Sequence, residues 1–239
     1  MGRSTTMQAS RPGRRYSVTQ QRERELRALW SSIEGTWLEI RSHPFLAGLQ
    51  DGTLEQAKFG HFLQQDYRYL EDFARALLHL AAKAPDGDAL RTLWRHVGTV
   101  FEVEEALHLE LTAALGGDAG SLRSAPRGGA TEAYVDFLLR HAAHGDFAAG
   151  VIAVLPCYWI YREVGLDLAS RGPSPRPAYQ AWIATYAGDL YGQAVRELQV
   201  LAAEALRAAP SRAQELQAIF RHGVRHELAF WQQAYEHEI

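Results

Sequence analysis

Cysteine is almost absent from the 239-residue chain, which holds only Cys157. One thiol excludes an intrachain disulfide and cannot supply the thiolate cluster of a structural zinc site. It fits a reducing compartment, so a cytoplasmic protein is expected. An excess of charge of one sign is also lacking: 25 Lys and Arg stand against 28 Asp and Glu, a net of −3. That balance gives no reason to expect nucleic acid or an anionic membrane as partner. A long hydrophobic run is missing too. The most apolar stretch, Phe147 to Tyr161, has 15 residues and carries Gly150 and Pro156, where a membrane span needs roughly 20. It reads as a buried core helix. No β-alternating segment of useful length and no internal repeat is present.

What the chain does contain is ordinary for a packed protein, with 47% hydrophobic and 22% charged residues. Its length suits one helical domain. The first 22 residues hold Arg3, Arg11, Arg14, Arg15 and Arg22 and no acid. They read as a disordered basic extension before a domain over 23–239, with a transit peptide as the other reading and Met7 as an alternative start. Leu26, Leu29, Trp30, Ile33 and Trp37 follow one helical stripe that His43-Pro44 ends. Asp51-Gly52 is a turn, and Thr53 to Gln56 has the form of a capping box before a long helix to about Lys83. Further helices are expected over 88–115, 131–144, 146–171, 176–208 and 212–237, with 116–129 as a long loop. The fold class is an all-α, single-domain bundle.

Information about function lies where an apolar stripe is interrupted. Phe59, Phe62, Tyr69, Phe73, Leu77 and Leu80 share one helical face, and Asp66 falls on it. Ile219, Phe220, Gly223, Phe230, Trp231 and Ala234 form another, and it includes Glu227. Leu93, Val97, Val100, Leu107 and Leu111 frame Glu104 and His108, which stand one turn apart and can pair. An ionised carboxylate is costly to bury unless it is paired, hydrogen-bonded or protonated. Each acid could be satisfied by a buried Tyr, Trp, His or Arg, but Asp66 and Glu227 together suggest a site if their helices converge.

Cys157 sits in VIAVLPCYWIY, where a lone cysteine is usually an inert core residue. Pro156 frees a backbone carbonyl and can open space beside the thiol. Tyr161 follows one turn later on the same face. A thiol beside a carboxylate and phenols is a workable nucleophile, and aromatic walls suit a flat ring.

Together these positions resemble the TenA family, the thiaminase II enzymes. The matching segments are HPFLAGLQDGTL (43–54), FLQQDYRYLEDF (62–73), EVEEALH (102–108), LPCYWIY (155–161), WIATYAGD (182–189) and HELAFW (226–231). The resemblance implies a haem-oxygenase-like helical fold, a homotetramer, and hydrolysis without a metal or organic cofactor. The implied substrates are 4-amino-5-aminomethyl-2-methylpyrimidine and thiamin, converted to 4-amino-5-hydroxymethyl-2-methylpyrimidine in thiamin salvage. By the same resemblance Cys157 is the nucleophile, Glu227 the acid/base, and Tyr69 assists the thiol. Asp66 holds the pyrimidine, and Tyr134, Tyr161 and Tyr186 line the pocket. Ala187 stands where TYGGD often has glycine, and Arg68 is expected to be exposed.

Two rival readings remain at this stage. Glu105 and His108 have the Glu-x-x-His spacing of di-iron bundles, with Glu71, His222, His226 and Glu227 as further ligands. A non-catalytic pyrimidine-binding or regulatory protein is the other, although a pure binder needs neither Cys157 nor Glu227.

Overall fold

Apolar residues recur at helical spacing along the chain. In the computed structural model, which describes residues 17–236, those segments are helices, and no strand occurs among the described residues. They are α1 (Val18–Ser31), α2 (Glu34–Arg41), α3 (Pro44–Asp51), α4 (Gln56–Ala82), α5 (Gly87–Thr99), α6 (Glu105–Ala114), α7 (Ala119–Ser124), α8 (Gly129–Leu139), α9 (Phe147–Ser170), α10 (Pro177–Ala187), α11 (Asp189–Ala208) and α12 (Ala213–Glu236). The boundary expected after residue 22 falls inside α1, and residues 1–16 lie outside the described residues.

The apolar stretch around Cys157 becomes α9, the central helix, packed against α10, α11 and α12. By length and composition α9 could cross a membrane, but 78% of its apolar window is buried inside the bundle. On its other side lies α4, which also packs against α5, α8 and α12. Two glycines let helices approach α9. A Cβ on Gly223 of α12 would stand 2.6 Å from Pro156 Cγ, and one on Gly165 would stand 2.7 Å from the backbone nitrogen of Ala187. Aromatic rings fill the interior: Phe62 stacks on Trp231 with centroids 5.2 Å apart, and Trp182 meets Tyr186 at 4.6 Å. Such pairs add about 0.5–1.5 kcal/mol each beyond the area they bury.

Several boundaries differ from the sequence reading, each for a local reason. The first stripe divides into α1 and α2, because the Ser32 hydroxyl caps the Leu29 carbonyl at 2.6 Å and Ile33 leaves helical geometry. No capping box starts α4. The amide and hydroxyl of Thr53 both donate to Asp51 Oδ1, so Thr53 belongs to the preceding turn. The helix expected over 88–115 is broken by a π-helical turn, Val100–Glu104, and the loop over 116–129 contains α7. A second π turn, Arg140–His144, follows α8, and Lys83 Nζ donates to the carbonyls of Ala142, Ala143 and Gly145 at its end. The helix expected over 176–208 divides at Gly188, whose backbone is extended. There Arg162 donates to the carbonyls of Tyr186 and Gly188.

Candidate active site

Helical spacing places the candidate side chains in pairs. Asp66 and Tyr69 are three apart on α4, Cys157 and Tyr161 four apart on α9, and Glu227 and Phe230 three apart on α12. Each pair therefore shares a helix face. With Tyr134 from α8, these seven residues line one narrow, tightly packed cavity with an empty volume of about 160 Å³. Six of the seven site residues expected from sequence meet here. Tyr186 stands one layer behind, its ring 4.9 Å from that of Tyr161, and supports the wall rather than forming it. Phe230 lines the cavity although its place in an apolar stripe gave no sign of a site role.

The cavity buries two acids, Asp66 and Glu227, and its protonation states follow from that. Burial pushes the Glu227 carboxyl up to about 8, the negative charge of Asp66 adds to the rise, and a hydrogen bond from the Tyr134 hydroxyl at 2.5 Å opposes it. Glu227 is thus a protonated acid at neutral pH. Burial also pushes the Cys157 thiol well above its ordinary value, reinforced by Glu227 and Glu104. The Tyr69 hydroxyl beside the thiol acts in the opposite direction without making a hydrogen bond of standard geometry. The resting Cys157 side chain is a neutral thiol.

Asp66 has a different partner from the one expected for this region. His108, fully buried, approaches Asp66 Oδ2 through Nε2 at 2.8 Å, and its Nδ1 approaches the Glu104 backbone carbonyl. The expected pairing of His108 with the Glu104 carboxyl is not formed, because the ring spends both nitrogens elsewhere. A carbonyl only accepts, so Nδ1 carries a proton, and the hydrogen bond at Nε2 shares a further proton with the Asp66 carboxyl group. Burial pulls the His108 pKa down, but the bond and charge of Asp66 outweigh it and leave it raised. The pair is held neutral overall. Glu104 itself is pushed up to about 8, first by desolvation and then by Asp66.

Sequence reasoning missed the polar clamp beside the cavity. Gln65 Oε1 accepts from the Gly128 amide and the Thr131 hydroxyl, and Gln233 Nε2 donates to that same hydroxyl. This network pins the start of α8 and so positions Tyr134. The only sequence signal was an inward glutamine adjacent to Asp66. Arg68, expected to be exposed, is half-buried and donates to the Arg123 carbonyl. The residues proposed for a di-iron site do not assemble one. Among the described residues no three His, Cys, Asp or Glu side chains converge for a metal. Glu105 accepts from the Tyr67 hydroxyl at 2.8 Å, and His222 and His226 stack on each other at 4.9 Å.

Comparison with known proteins agrees with this geometry. Residues 30–237 match the model of the TENA/THI-4/PQQC family. The chain is 33% identical over 214 residues to an aminopyrimidine aminohydrolase of Halalkalibacterium halodurans, covering 89% of this chain and 96% of that one. It superposes on the TenA homologue of P. horikoshii OT3 with a TM-score of 0.83 at 28% identity, over 89% of this chain and 98% of the other. A Shewanella denitrificans domain with a heme oxygenase-like fold matches with a TM-score of 0.66 at 14% identity, over 93% of each chain, which establishes the shared architecture. The all-helical bundle is therefore of the haem-oxygenase-like kind, and the chain belongs to the TENA/THI-4/PQQC family as an enzyme of the hydrolase class.

Proposed function

We propose that this enzyme is an aminopyrimidine aminohydrolase of the thiaminase II type. It hydrolyses 4-amino-5-aminomethyl-2-methylpyrimidine, and thiamin, to 4-amino-5-hydroxymethyl-2-methylpyrimidine through a covalent adduct on Cys157. One observation carries the reading: the chain's single thiol, two carboxyl side chains and three phenols converge on one small cavity. Asp66 accepts from the exocyclic amine while its pairing with His108 keeps the buried charge balanced. Net addition of the thiol places sulfur on a ring carbon and a proton on a ring nitrogen. Glu227, already protonated, gives that proton and receives the thiol's in return, with Tyr69 beside the sulfur. No free thiolate has to persist in the apolar cavity. The adduct expels the amine or the thiazole from the methylene carbon, water adds there, and departure of the sulfur restores the aromatic ring.

The homotetramer expected from the resemblance is part of this proposal. Leu90, Trp94 and Phe101 are exposed along α5 and the turn that follows, where a second copy would cover them. A cytoplasmic setting, in which the single thiol stays reduced, completes the reading. The decisive experiment assays the purified chain on both substrates. Cys157→Ala and Glu227→Gln should each lower kcat/KM by about 100-fold or more. An undiminished rate in Cys157→Ala would overturn the covalent route.

A further inference from the structure

Glu227 and the residue before it meet one phenol from two directions. Tyr134 of α8 is 1% exposed, and its hydroxyl donates to Glu227 Oε1 at 2.5 Å. The His226 ring lies flat against the Tyr134 ring, with centroids 5.2 Å apart and planes within 7° of parallel. Consecutive helical residues point about 100° apart, so α12 can meet the hydroxyl with one side chain and the ring face with the other. Inside the cavity Tyr134 also meets Tyr69, tilted by 38° at 5.1 Å. The Gln65–Thr131–Gln233 network anchors the start of α8, but it acts on Gly128 and Thr131 rather than on the phenol. The orientation of the ring is left to its ring neighbours.

His226 is itself braced. His222, one turn earlier on α12, stacks on it at 4.9 Å with 22° between the planes, and Phe137 of α8 packs on it at 4.9 Å. His141 meets the same Phe137 at 4.8 Å. Tyr134 is buried, His226 half-buried and His222 exposed, so a ladder of rings runs from Glu227 out to the surface. Burial, and then the neighbouring His222, pulls His226 down to about 4, which leaves a neutral flat ring against the phenol at ordinary pH. The groups that face the Glu227 carboxyl are Asp66 and Tyr69 from α4, Tyr134 from α8, and Cys157 and Tyr161 from α9. Burial and Asp66 favour its protonated form, and the Tyr134 hydroxyl opposes them.

We propose that His226 is a positioning residue, whose ring sets the Tyr134 phenol so that its hydroxyl stays aimed at Glu227 while that acid gives up and regains its proton. The inference rests on the proposed aminopyrimidine chemistry. Without the His226 ring the phenol gives a weaker hydrogen bond, and Glu227 becomes a weaker acid that keeps its proton to higher pH. The signature is therefore paired: a lower plateau rate, and an alkaline limb displaced upward. General loosening of the bundle lowers the rate without moving the limb. The test compares His226→Ala, which removes the ring, with His226→Phe, which keeps a flat ring without a titrating nitrogen. Both are checked for folding by circular dichroism. In His226→Ala, kcat for aminomethylpyrimidine should fall about tenfold with KM changed less than about threefold. The alkaline limb should rise by about one pH unit, equivalent to a hydrogen bond to a charged group. His226→Phe should return both to near the wild-type values. The Glu227 proton is also followed without turnover, by pH-difference infrared spectroscopy of the carboxyl band that Glu227→Gln lacks. The same upward shift is expected there in His226→Ala and not in His226→Phe. His226→Leu, which keeps bulk without a flat face, replaces the alanine variant if that one does not fold. An unmoved carboxyl titration in the folded ring-less variant, a loss confined to KM, or failure of His226→Phe to restore the titration would overturn the positioning role. Absence of hydrolysis in the wild type would instead overturn the parent reading, and the infrared titration would still decide whether His226 sets Tyr134 against Glu227.

Discussion

With its carboxyl buried beside the Tyr134 hydroxyl and pushed up to about 8, Glu227 carries a proton through the neutral range. If that proton is the one given to the ring, kcat/KM declines as pH rises through about 8, and the residual activity of Glu227→Gln lacks this limb. The same group links pH to stability. Its folded pKa lies above the ordinary 4.5, so its stabilising proton uptake is fully present below about 4.5 and is lost as pH rises through about 8. Melting temperature should therefore fall over that window and fall less in Glu227→Gln; an equal fall in both would remove Glu227 from the account. Asp66 supports a different prediction. Asp66→Asn removes the group that holds the His108 pKa up against burial, so the ring turns neutral and a buried hydrogen bond is lost, at a cost of about 1–3 kcal/mol. Denaturant unfolding measures that loss, which should shrink when His108 is also replaced by Gln.

At the scale of helices, the site depends on how closely α10 and α12 approach α9. Gly165→Ala would press a methyl group against the backbone of Tyr186 and Ala187, which cannot swing aside as a side-chain tip can. About 1–3 kcal/mol of destabilisation is expected, with KM raised because Tyr186 backs the Tyr161 wall. A variant with unaltered KM would show that the wall tolerates the shift. Helical periodicity made most of this architecture legible. The stripes on α4 and α12 revealed Asp66 and Glu227 because an acid on an apolar face is conspicuous. Cys157 and Tyr134 were not conspicuous, since a small thiol and a phenol belong in any core, and the roles proposed for them rest on the family resemblance. The π turn over Val100–Glu104 was hidden for another reason. One extra residue in a helical turn leaves an apolar pattern nearly unchanged while rotating everything after it. That rotation helps explain why His108 meets Asp66 of α4 rather than the Glu104 carboxyl. Gly188 likewise reads as an ordinary helical glycine until Arg162, 26 positions earlier, is seen to take its carbonyl.

For the molecule as a whole, the exposed Trp94 provides the sharpest test of assembly. Two-thirds of its surface is open in the single chain, and Trp94→Glu would place a charge in the proposed face between copies. Sedimentation should show a tetramer for the wild type and smaller species for the variant; a monomeric wild type would sink the assembly proposal. The chain's poverty in thiols has a practical consequence at this scale. Any thiol-directed reagent has one address, and that address lines the cavity shared with Asp66 and Glu227, 9% exposed and protonated at rest. The protein therefore carries its own reporter of opening. The rate at which a disulfide dye labels the untreated enzyme counts excursions that expose the cavity, and a bound pyrimidine should silence the signal. No engineered label is needed to time how often this closed bundle admits a visitor.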